Sequence, residues 1–190
     1  MQRSGECCGR HNDDRAHHDR AERRGSSRAR VAAIQTLEAV LSSATGQDAT
    51  ECADARLFDP IGMTGSSISR DRAGNSPTFV GTHSSCRDLA PFGVLVLNEG
   101  EWAGTRRLDA SWVRDATGRS SQESNSAHGC LWWLNRPGTV LGAGQAAGDG
   151  SAGGPGGTQL VPGAPEDMFW ALGFGKQVVA VDPGSDISSE

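Results

Sequence analysis

The chain has no tyrosine in its 190 residues and a single lysine, Lys176. Any mechanism that needs a tyrosine hydroxyl or a second lysine amine is excluded for these residues. No apolar run approaches the roughly 18 residues that a membrane-crossing helix requires, so no membrane partner is expected. No stretch near residue 1 joins a charged start, an apolar centre and a small-residue cleavage site, so no signal peptide is legible and no compartment is assigned. The five cysteines, Cys7, Cys8, Cys52, Cys86 and Cys130, are odd in number and form no Cys-x-x-Cys pair. Reduced thiols are therefore expected rather than a disulfide framework.

The net charge of −5 is unevenly spread. Residues 1–30 hold eight arginines against five acidic residues, a net +3, and the rest of the chain is net −8. An acidic body does not suit a phosphate backbone, whose affinity rests on cationic contacts. The basic front has no aromatic residue to stack a base, so no nucleic-acid partner is expected. With almost nothing apolar, residues 1–30 cannot offset the entropy of ordering and are read as disordered. Cys7, Cys8, His11, His17 and His18 are metal-ligand types, but adjacent cysteines lack the spacing of a structural zinc site. No metal or cofactor is expected.

From Val31 onward the pattern turns globular. Ile34, Leu37, Leu41 and Ala44 fall at helical spacing, and Gly46 follows as a stop. Asp48 and Glu51 form a capping-box signal for a second helix through Leu57 and Phe58. Proline disfavours a helical predecessor, so that helix is expected to end before Asp59-Pro60. Residues 64–80 read as a polar loop. Ser85 with Asp88 starts a third helix carrying Leu89, Phe92, Leu95 and Val96, with Pro91 inside it and a stop at Asn98-Glu99-Gly100. Glu101–Gly104 read as a turn, and Asp109 or Ser111 as the cap of a short helix. Leu131–Leu134 read as a short strand. Residues 138–163 contain ten glycines and read as a flexible loop. Met168–Leu172 and Gln177–Val181 read as two strands around a glycine-rich corner, closed by Asp182-Pro183-Gly184.

The nucleophile motifs fail on arithmetic. Gly-x-Ser-x-Gly does not occur. Ser-x-x-Lys sets a hydroxyl one helical turn from an amine, and with Lys176 the sole lysine it needs serine at 173, where Gly173 stands. Cys86 or Cys130 with His83 or His128 is a formal Cys–His combination that sequence does not bring together. His128 reads better as a strand residue beside the tryptophans. Paired-carboxylate chemistry has no support, since Glu99, Glu101 and Asp109 sit at turns.

Taken together, the ordered segments resemble the β-lactamase-related serine hydrolases, which include class C β-lactamases, penicillin-binding-protein-like D-alanyl peptidases and esterases. The segments are Ala39–Gln47, Leu57-Phe58-Asp59-Pro60-Ile61-Gly62-Met63, Ser85–Gly100, Trp102–Val113, Gly129-Cys130-Leu131-Trp132-Trp133 and Ala171–Pro183, in the family's order. The resemblance covers only the family's C-terminal half and implies an α+β fold. That fold is a partial β-lactamase-like (serine-type D-Ala-D-Ala peptidase-like) one, an antiparallel sheet with flanking helices. Residues 31–190 are its C-terminal portion, with the glycine-rich loop 138–163 inside it, and residues 1–30 match nothing in the family.

The departures from the pattern set the functional expectation. The family's Ser-x-x-Lys and Tyr-x-Asn motifs are missing, so the catalytic residues are unknown and the chain is expected to be inactive alone, a truncated hydrolase by descent. The small molecules implied are esters, amides or lactams. The cleft residues implied are Gly173, Phe174, Gly175 and Lys176, with His83 beside them. The alternatives are a non-enzymatic remnant that binds a ligand or partner chain, with self-association through an exposed sheet edge, or a fragment without function.

Overall fold

A computed structural model describes residues 33–121, 124–141, 158–173 and 177–185. Residues 1–30 with their cysteines and histidines lie outside that set, as do the middle of the glycine-rich segment and Phe174, Gly175 and Lys176.

Helix α1 spans 33–45 and ends where Gly46 takes a φ of 70°, as the sequence predicts. Helix α2 (Ala49–Ala53) begins in the expected capping box: Asp48 accepts from the N–H groups of Thr50 and Glu51, and Glu51 reaches back to the Asp48 N–H. The expected stop before Asp59-Pro60 does not occur. The chain passes through a π-helical turn (Asp54–Phe58) into a short helix α3 (Asp59–Ile61), and only Gly62, at φ 78°, ends it. The physical reason is the wider turn: the Asp59 N–H bonds back five residues to Asp54. Pro60 then sits in the first turn of α3, where a missing N–H is harmless.

Residues 64–80 are not all loop. Strand β1 (Ser67–Ile68) pairs antiparallel with β2 (Thr82–His83). Helix α4 (Cys86–Leu97) is capped by Ser85 and runs on past Pro91. The expected turn at 101–104 is the tip of a hairpin, β3 (Glu101–Trp102) against β4 (Thr105–Arg106). Its central residues Ala103 and Gly104 both have positive φ, the geometry that matches strand twist in a two-residue loop. Asp109 caps α5 (Ala110–Gly118).

The principal sheet is β5 (Trp133–Leu134), β6 (Phe169–Leu172) and β7 (Val178–Val181), antiparallel in the order β5-β6-β7. The expected strand at 131–134 is shorter than the apolar run, because Leu131 takes a φ of 65° and turns outward. The loop expected over 138–163 is anchored at both ends. Val140 and Leu141 are buried, and Asn135 ties Val161, Ala164 and Pro165 to the sheet.

Two apolar clusters hold this together. One joins α4, α5 and the sheet through Val96, Val113, Ala116, Trp132, Leu134, Phe169 and Val181. The other joins the α2–α3 run to α4 through Phe58, Ile61, Met63 and Leu95. Phe92 and Leu108 pack against both, and Phe92 stacks on Trp132 with ring centroids 5.8 Å apart. Each fully buried side chain of this kind contributes about 1.5–3 kcal/mol.

Candidate functional site

The β1–β2 ribbon places His83 opposite Ser67. Side chains two apart on a strand share a face, so Ser69 lies on the same side and reaches His83 diagonally. Ser69 Oγ is 2.7 Å from His83 Nε2, and both residues are exposed. Hydroxyl against imidazole is the arrangement of a nucleophile and its base. The pair lacks the rest of that machinery. Among the described residues nothing bonds the other ring nitrogen of His83, and water reaches both side chains. Sequence reasoning missed this contact, because Ser67-Ile68-Ser69 and Thr82-His83 carry too few apolar residues to announce a strand pair.

The ribbon continues as a polar seam toward α4. Ser66 Oγ and Ser84 Oγ are 2.7 Å apart, and Ser85 Oγ donates to the buried Asp88 carboxylate at 3.0 Å while accepting from the Asp88 N–H at 3.1 Å. Gly65 lies so close that a Cβ there would come within 2.7 Å of Asp88 Oδ2. Asp88 is therefore engaged in holding the start of α4.

Gly173 sits where β6 turns toward β7. Its N–H donates to the Gln177 carbonyl at 2.8 Å, so this amide is bound within the ladder rather than aimed at a substrate oxygen. A Cβ on Gly173 would come within 3.2 Å of Gln177 Oε1. Phe174, Gly175 and Lys176, the other residues implied for the cleft, lie outside the described residues. His83 and Gly173 thus stand on different sheets, and no contact joins them among the described residues.

Cys86 is the first residue of α4 and is exposed. It has no bond to His83, whose ring is engaged with Ser69. Cys86 does border a groove of about 480 Å³ between α4 and β7, lined by Leu89, Gly93, Val94, Val178 and Val179 among others. His128 is the strand-like residue the sequence suggested: it bridges to Trp133 and meets that ring edge-on at 5.3 Å.

The strongest electrostatic perturbation lies away from all of these. Asp48 holds the start of α2 and accepts from Arg70 at 2.6 Å and from Ser76 at 3.0 Å. The Arg70 guanidinium, helped by the Glu51 N–H, lowers its pKa to about 2, and Arg70 is raised in return. This is helix capping.

No family model matches the chain. No curated protein matches it either. Solved structures do: 22 chains are similar. One is described as "Putative 6-aminohexanoate-dimer hydrolase from Bacillus anthracis", at 24% identity and a TM-score of 0.57 over 78% of this chain. The chain spans 33% of the length of that structure. The likeness is one of fold, to part of that structure.

Proposed function

We propose that this chain is the sheet-and-helix wall of a β-lactamase-related serine hydrolase, descended from enzymes that open ester, amide or lactam carbonyls, and that these residues alone do not turn such substrates over. The observation that carries the reading is the fold likeness to a hydrolase across most of the chain. Its chemical limit comes from the sequence. A serine acylation step needs a hydroxyl whose proton is taken by a nearby base, and N–H donors aimed at the oxyanion. Lys176 has glycine, not serine, three positions before it. The N–H of Gly173 is bonded to Gln177, and among the described residues no third group orients the exposed Ser69–His83 pair.

The test is incubation of the chain with a fluorescent penicillin and with a nitrophenyl ester, followed by intact mass. We expect neither a burst of acylation nor turnover above that of denatured protein. An adduct on any serine overturns the inactive reading, and an adduct on Ser69 that disappears in His83→Ala would assign the chemistry to that pair.

A further inference from the structure

The Gly173 N–H bond to the Gln177 carbonyl fixes which way each residue of β7 faces. Antiparallel partners alternate between pairs that exchange hydrogen bonds and pairs that do not. Gly173 and Gln177 bond, so Ala171–Val179 and Phe169–Val181 are the bonded pairs in the register observed. The N–H and C=O groups of Val178 and Ala180 therefore point away from β6. Among the described residues no strand lies on that side, since β7 ends the order β5-β6-β7.

From Gln177 to Val181 the strand carries none of the charges or kinks that protect an edge, with no lysine, proline or bulge. Its outer face is apolar and open: Val178 and Leu172, which face each other across the ladder, are 53% and 43% exposed. A run of four apolar residues is the pattern of a strand covered on both faces, yet α4 covers only the Val179 and Val181 side.

We propose that this edge pairs with the same edge of a second copy, β7 to β7, antiparallel about a two-fold axis at Val179. In that register Val178 faces Ala180 of the partner subunit and Ala180 faces Val178 of the partner subunit. Both members of each pair have outward backbone groups, so all four N–H groups find acceptors. The interface is self-complementary, as a two-fold contact requires. The charge pattern agrees. In sequence the chain's lysine stands two positions before Val178 and Asp182 two positions after Ala180. Opposite charges thus flank the strand, and antiparallel pairing sets unlike ends side by side. The uncharged strand between them lets two molecules of net charge −5 meet without like charges in contact. The result is a six-stranded sheet with the apolar residues Leu172 and Val178 of both copies on one face.

The experiment is sedimentation velocity of the full chain over a hundredfold concentration range, with hydrogen exchange on the same samples. The expected result is a shift from 19.9 kDa toward twice that mass, with slowed exchange at Val178 and Ala180 in the heavier species. Ala180→Pro removes an outward N–H and leaves the β6 ladder its donors, and Ala180→Lys places a charge at the seam. Either is expected to weaken association at least tenfold while the tryptophan fluorescence of the monomer is kept, and the lysine variant serves if the proline variant fails to fold. A monomer at every concentration, or a dimer unchanged in both variants, overturns the proposal. Both outcomes leave the acylation experiment unaffected.

Discussion

The α4–α5–sheet half of this molecule and helix α1 are held by different forces. In the first, Val96, Val113, Leu134, Phe169 and Val181 are each 5% exposed or less. In the second, the long apolar residues of α1 face water, with Val40 at 60% and Leu37 and Leu41 both at 38%. What ties α1 down is polar: Gln35 Nε2 donates to the Ser76 carbonyl, Gln35 Oε1 accepts from the Thr78 N–H, and Thr78 Oγ1 donates to the Ile34 carbonyl. Apolar burial is cooperative and indifferent to pH. A lattice of caps and hydrogen bonds adds modest increments one by one and responds to protonation. The sheet half is therefore expected to unfold as the stable unit, with α1 opening first.

The comparison breaks soonest at the core. Phe169→Ala removes a ring that meets Trp132 edge-on at 5.2 Å and sits among the residues of the sheet cluster. The expected loss is about 3–5 kcal/mol, read as a lower urea midpoint, and a loss below 1 kcal/mol would show that this half is not packed as described. Gly100→Ala comes next. Gly100 has a φ of 89°, and a Cβ there would lie 2.6 Å from the Leu108 carbonyl oxygen, which is backbone and cannot swing away. Left-handed strain and overpacking together set an expected cost of about 2–4 kcal/mol, measured in the same way. A neutral result would mean that the β3–β4 hairpin moves freely against α4.

The sequence was most readable where one local rule decides the outcome. Asp48 with Glu51, Ser85 with Asp88, and Asp109 or Ser111 announce helix starts, and Asp48, Ser85 and Asp109 are the caps. The runs Met168–Leu172 and Gln177–Val181 announce strands, and Phe169–Leu172 pairs with Val178–Val181. It was misleading where a tertiary contact overrides a local preference. Asp59-Pro60 stays helical because a π turn absorbs the proline, and two-residue strands such as Ser67–Ile68 are too short to carry a period. Asn135, wholly buried with its amide spanning three carbonyls, reads in sequence as an ordinary polar residue after a strand. The site was less legible than the fold. The Ser69–His83 contact depends on a cross-strand diagonal that appears only once the register is known.

The polar side of the comparison is sharpened by pH. The Asp48 pKa in the folded chain is about 2 against an ordinary 3.8, with Arg70 the leading cause. A lowered carboxylate pKa stabilises the fold fully above the ordinary value, and that contribution is lost as pH falls from about 3.8 toward 2. Asp71, lowered mainly by Asn75, titrates in the same direction in the adjoining loop. Acid is therefore expected to loosen the α2 cap and the neighbouring polar ties while the strands of the sheet stay in place; Asp109, lowered by Ser111 and the Trp112 N–H at the start of α5, titrates in the same direction. NMR shifts of Thr50 and Glu51 should move in this window while those of Leu134 and Phe169 stay still. In Asp48→Asn most of the Thr50 and Glu51 movement should vanish, and simultaneous movement of both sets of shifts would dissolve the distinction between them.

The smallest effect tests the exposed face itself. Val40 lies on α1 with more than half its surface open to water, so replacing it removes little buried area. Val40→Ser is expected to change stability by less than about 0.5 kcal/mol, the range for a substitution away from packing, caps or buried polar groups. The control is Val113→Ala on α5, 3% exposed and inside the sheet cluster, where loss of two methyl groups leaves a cavity. If Val40→Ser costs as much as Val113→Ala under the same urea titration, the apolar side of α1 is covered in solution. Helix α1 and the sheet half would then be held by the same force.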